Sequence, residues 1–116
     1  LLWPLMAGAS GAGGVTPNGA VQMINREKAV VVDVGDAEEF AAGHIVGARN
    51  VPLGQLGERL AAAVKNKSLP LLLVCPTGAR ANKAVAAAKK LGYENTQAIS
   101  GGMKAWKTAG LPVEKA

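Results

Sequence analysis

The residue types that most often carry chemistry are nearly missing. The 116-residue chain has one cysteine, Cys75, and one histidine, His44. One cysteine excludes an internal disulfide, and one Cys with one His cannot build a zinc cluster of the usual kind. Neither a metal nor an organic cofactor is expected. Aromatic residues amount to 3%, namely Trp3, Phe40, Tyr93 and Trp106, too few for a base-stacking platform. No apolar run approaches the ~20 residues that cross a bilayer. Acidic residues number 8 against 13 Lys and Arg, for a formal charge of +5. That surplus suits an anionic partner, but nothing in the motifs points to nucleic acid. With 49% hydrophobic and 18% charged residues, the chain has the composition of a folded domain and the length of one.

The chain opens on Leu1, so a fragment or processed product is expected. LLWPLM at 1–6 reads either as the end of a membrane anchor or as a tag remnant or apolar tail. The linker-like AGASGAGG follows. Residues 1–14 are therefore assigned to a flexible tail and 15–116 to the folded domain. Thr16-Pro17 offers an N-cap and a first-turn proline, with Val21, Met23 and Ile24 facing inward. Ala29 to Val34, AVVVDV, is a continuous β-branched strand of the doubly covered kind. Asp36 and Glu39 make a capping-box pattern, and Gly43 stops that helix. A very short strand is expected around 48–51, and a helix from Leu53 to Lys65 with Gly54 and Gly57 weakening its start. Leu71 to Val74, LLLV, is a second buried strand. Ala81 to Leu91 is an amphipathic helix with Ala81, Ala84, Val85, Ala88 and Leu91 inward. Thr96 to Ile99 is a third strand, and a last helix carries Met103 and Trp106. Strands alternating with helices specify an α/β fold with a parallel sheet covered on both faces.

In such sheets, ligands gather at the carboxyl ends of the strands. Cys75 stands at one, opening the loop Cys75-Pro76-Thr77-Gly78-Ala79-Arg80. Loop amides form a nest, a helix N-terminus follows, and Arg80 adds a cation. All three favour the thiolate, the reactive form of cysteine. The bland alternative is a buried structural thiol. Thr77 offers its hydroxyl to an anion or to the loop itself. Asp33 ends the first strand and either faces the site or bonds to loop backbone. His44, after a helix-stopping glycine, reads as an ordering residue rather than a base. Phe40 and Trp106 read as core. Ser100, Gly101 and Gly102 form either the opposite wall or a plain turn.

The segments VVDV, EFAAGHIVGARNVP, CPTGAR and SGGMKAW with GLP, in this order from about Thr16 to Val113, resemble the single-domain rhodaneses, a sulfurtransferase family. The resemblance implies a central five-stranded parallel sheet flanked by helices. It also implies a ping-pong reaction through a Cys75 persulfide, cradled by Pro76, Thr77, Gly78, Ala79 and Arg80. The implied partners are a small anionic sulfur donor such as thiosulfate and a thiol or cyanide acceptor. The expected state is a monomer in a reducing, cytoplasmic setting, facing the cytoplasm if the anchor reading holds. Two departures make the pocket less cationic: Gly35 and Pro76 stand where many members have Arg and a basic residue. Two rivals stay open. A cysteine phosphatase has five residues between Cys and Arg, and here there are four. A non-catalytic binding module of this fold usually lacks the cysteine.

Overall fold

The computed structural model describes residues 14–76 and 79–115. In chain order the elements are α1 (Pro17–Glu27), β1 (Val30–Asp33), α2 (Ala37–Ala42), β2 (His44–Ile45) and β3 (Arg49–Asn50). A 3-10 turn (Leu53–Gln55) leads into α3 (Leu56–Ala63). Then come β4 (Leu71–Val74), α4 (Ala79–Lys90), β5 (Thr96–Ala98), α5 (Gly102–Thr108) and β6 (Val113–Glu114).

The apolar strands form one parallel sheet in the order β3-β1-β4-β5. Four strands, rather than the five implied, are present among the described residues. The place beyond β5 holds a single parallel bridge, Val15 to Ile99. Gly14 enters there at φ +79, and a Cβ on it would lie 2.1 Å from the Ala98 carbonyl oxygen. Only glycine fits that approach. Of the expected tail at 1–14, residues 1–13, which include the anchor reading at 1–6, lie outside the described residues. Among those described, no helix is long and apolar enough to cross a membrane.

Side-chain alternation sorts the strands onto two cores. Val32, Val34, Leu71, Leu73 and Cys75 share one face with Leu56, Leu60 and Val64 around α3 and with Ala81, Ala84 and Ala88 of α4. Val31, Leu72, Val74 and Ile99 share the other with Ala20 of α1 and Met103 and Trp106 of α5. Helices therefore cover both faces, which is why VVVD and LLLV are apolar without interruption.

Local signals set the helix ends. Thr16 Oγ1 accepts from the Gly19 amide at 3.0 Å, with Pro17 in the first turn. Glu39 Oε1 accepts from the Asp36 amide at 2.8 Å, half of a capping box. Two expectations change. The helix expected over 53–65 is a 3-10 turn holding Gly54, followed by a shorter α-helix that takes in Gly57 and ends at Ala63. Leu91, expected inward, is exposed because the helix closes at Lys90 and Leu91 begins the turn.

His44 and Phe40 are neither turn nor simple core. His44 pairs with Glu114 in a two-stranded antiparallel sheet, β2 with β6. Its ring stacks on Phe40 at 3.7 Å between centroids, with the planes 6° apart. Nδ1 lies 2.8 Å from the Phe40 carbonyl oxygen, and Nε2 lies 3.4 Å from Glu114 Oε2. The only histidine is thus an ordering residue tying α2 to the C-terminal strand, as its bland reading held.

Candidate active site

In register, Asp33 of β1 faces Val74 of β4 and Ala98 of β5 faces Leu73. The carboxyl ends of three neighbouring strands therefore lie together, and Cys75 leaves the sheet among them. Its carbonyl accepts from the Met103 amide at 2.8 Å, and that of Pro76 accepts from the Lys104 amide at 3.2 Å. Two amides of α5 thus pin the start of the loop. Gly101 (φ +76) and Gly102 (φ +62) turn the chain so that α5 reaches it. The expected second wall is built by the helix after Ser100-Gly101-Gly102 more than by the turn itself.

Cys75 is fully buried. The amide of Ala81, in the first turn of α4, donates to its Sγ at 3.4 Å. That donor is one of the helix-start N–H groups that have no partner within the helix. Ala79 and Arg80 open α4. Thr77 and Gly78, the other expected cradle residues, lie outside the described residues.

Arg80 is differently employed from the role sequence gave it. Its guanidinium clasps Glu39 of α2 through two hydrogen bonds, both 2.9 Å, with Asp36 at 3.9 Å. The Glu39 hydrogen bond raises the Arg80 pKa, and the charges of Glu39, Asp36 and Cys75 reinforce this against a desolvation cost. Arg80 and Cys75 are thus in electrostatic range, but a carboxylate already matches most of the cation. Glu39 is correspondingly held below the usual carboxylate range, first by Arg80 and then by the Asp36 amide.

Asp33 is buried, and its Oδ1 accepts from the Gly35 amide at 2.8 Å. Burial pushes its pKa up, and the charge of Glu39 adds to that, against the Gly35 hydrogen bond and the charges of His44 and Arg80. It does both things the sequence left open, since it also lines a cavity of about 250 Å³ with Glu39, Ala42, Gly43, Pro76, Met103 and Lys107. Gly35 has a physical reason to lack a side chain. A Cβ there would sit 2.9 Å from Glu39 Oε1 and 3.0 Å from Asp33 Oδ1. Sequence reasoning passed over Glu39, Met103 and Lys107 in this role. The one available signal for Glu39 was its capping-box spacing, which speaks only of its own helix.

The profile of the family described as Rhodanese-like domain matches residues 16–109. The chain belongs to the rhodanese-like family. It is 35% identical over 102 residues to the thiosulfate sulfurtransferase GlpE of Pseudomonas putida strain GB-1, covering 88% of this chain and 90% of that one. It is 38% identical over 79 residues to the uncharacterised YqhL of Bacillus subtilis strain 168, covering 68% of this chain and 61% of that one. Among solved structures, a thiosulfate sulfurtransferase from Pseudomonas aeruginosa superposes with a TM-score of 0.81 at 28% identity, over 90% of this chain and 20% of that protein. A rhodanese from E. coli solved with anions superposes at 0.67 and 28% identity, over 76% of this chain and 99% of that one. The rhodanese-like fold implied by the sequence motifs is therefore that of the chain, with a parallel sheet between helices.

Proposed function

We propose that this rhodanese-like domain is a sulfurtransferase that moves a sulfane sulfur from thiosulfate or a related donor to cyanide or a thiol. The carrying observation is Cys75 itself. Its sulfur ends a buried strand, accepts a helix-start amide at 3.4 Å, and lies in a chain 35% identical to proteins named thiosulfate sulfurtransferase. The Cys75 thiolate attacks the outer sulfur of thiosulfate. The S–S bond of the donor breaks, and sulfite leaves with its electron pair. Cys75 then holds the sulfur as a persulfide anion, stabilised by the Ala81 amide and the start of α4. Cyanide attacks the outer sulfur, thiocyanate departs, and the thiolate returns. No oxidant or reductant is consumed.

One observation favours a second reading, a binding module: Cys75 is fully buried. Intact mass separates the two. Incubation with thiosulfate is expected to add one sulfur atom that cyanide removes, and Cys75→Ser is expected to add none and to lose turnover. Unchanged mass with thiosulfate and no thiocyanate formation would leave the binding module. Wild-type turnover in Cys75→Ser would overturn the mechanism. Hydrolysis of a phosphate ester without sulfur loading would point to the phosphatase.

A further inference from the structure

The cavity beside Pro76 has one cation among its described lining residues, Lys107. Arg80, the residue expected to receive an anion, is clasped by Glu39 at 2.9 Å through both of its terminal nitrogens. Lys107 is not so engaged. It makes no ion pair or side-chain hydrogen bond among the described residues. Its ammonium lies over Gly43, where a Cβ on that glycine would be 3.6 Å from Nζ. The acidic residues Asp33 and Glu39 line the same cavity. The wall also carries Met103, whose amide holds the Cys75 carbonyl at 2.8 Å. An anion entering here therefore meets two acidic residues and one unspent cation, at the threshold of the cysteine loop.

We infer that Lys107, and not Arg80, receives the anionic end of the sulfur donor, and that Glu39 sets the anion preference of the site by keeping Arg80 occupied. The inference rests on the sulfurtransferase reading for the donor, but the charge arrangement stands without it. The substrate class is a small sulfane-sulfur compound whose leaving portion carries negative charge. That portion is held at Lys107 while its outer sulfur reaches Cys75. Transfer then runs as above: a bond forms from Cys75 to the outer sulfur, and the anion held by Lys107 departs with the electron pair. Lys107 is exposed on α5, so its replacement removes charge without opening the core.

Alkylation of Cys75 provides a readout that needs no sulfur chemistry. Iodoacetate is anionic and iodoacetamide neutral, so the ratio of their rates reports the field on the path to the sulfur. In Lys107→Met that ratio is expected to fall about fivefold at low salt, the scale of removing one unit charge from the approach to a wet site. The KM for thiosulfate should rise by a similar factor. Glu39→Gln, which removes the nearer of the two carboxylates on Arg80 and leaves Asp36 at 3.9 Å, is expected to raise the ratio about threefold. Lys104→Met removes an equal charge from the same helix, on the groove with Pro17 and Ala105 rather than in this cavity, and should move the ratio less than twofold.

A ratio unmoved in Lys107→Met, or lowered equally in Lys104→Met, overturns the inference. So does a Cys75 that neither reagent modifies, because the cavity then does not lead to the sulfur. Sulfur loading with an unmoved ratio leaves the sulfurtransferase standing and removes Lys107 from it. A lowered ratio without sulfur loading keeps Lys107 as the anion receptor and removes the sulfurtransferase.

Discussion

Replacing Glu39 by alanine tests whether the link between α2 and the cysteine loop is energetically real. The carboxylate makes two hydrogen bonds to Arg80, each 2.9 Å, with both side chains 37% exposed. Exposed pairs are worth ~0.2–1 kcal/mol, and bidentate geometry puts this one at the upper end, about 1 kcal/mol. Glu39 also accepts from the Asp36 amide at 2.8 Å, and losing that half of the cap costs a further ~0.5–1 kcal/mol. Glu39→Ala should therefore lose about 1.5–2 kcal/mol, lowering Tm by roughly 6–12 °C for a domain of this size. Glu38→Ala, an exposed position in the same first turn, should lose no more than about 0.5 kcal/mol.

The assay is urea unfolding of Glu39→Ala, Arg80→Ala and the double variant. The coupling energy should be about 1 kcal/mol. The pH dependence has a definite sign. Arg80 holds the Glu39 pKa below its unfolded value, so the contribution is fully present above the unfolded carboxylate range, near pH ~4.3. It is lost as pH falls from there through the lower folded pKa. Glu39→Gln keeps an acceptor for the Asp36 amide, so its deficit relative to wild type should shrink over that window. A coupling energy under about 0.3 kcal/mol, or Glu39→Ala no worse than Glu38→Ala, would refute the reasoning.

His44→Ala should cost about 2 kcal/mol, from the lost ring stack and the polar link at 2.8 Å. It should still load one sulfur per chain, and loss of loading in a folded His44→Ala would reverse the ordering role. Charge should also matter at longer range. Residues 1–79 hold six basic and six acidic groups, and the excess lies in 80–107 with Arg80, Lys83, Lys89, Lys90, Lys104 and Lys107 against Glu94. With Arg80 matched by Glu39, exposed lysines of α4 and α5 supply that field, and the second-order rate with thiosulfate should fall as ionic strength rises. A salt-independent rate would make them ordinary surface.

Local chemistry alone determined a good deal of this protein. VVVD and LLLV had to be covered strands because unbroken β-branched and aliphatic runs need apolar cover on both faces. Thr16-Pro17 and Asp36 with Glu39 started helices because caps act within one turn. Cys75 at a strand end before a helix was placed beside a helix-start amide by the same short-range logic. The uses of charge were decided otherwise. Glu39 and Arg80 are 41 residues apart, and they meet because α2 and α4 both begin at the carboxyl edge of adjacent strands. Lys107 is another surface lysine in sequence, until the glycine turn before α5 carries it over Gly43. His44 reads as a loop residue until Val113 and Glu114 return to pair with its strand. Leu91 fits a helical stripe by spacing, but the helix ended one residue too soon to bury it. Propensity and patterning depend on neighbours along the chain, whereas the pairing of a charge depends on which sheet edge its element finally reaches.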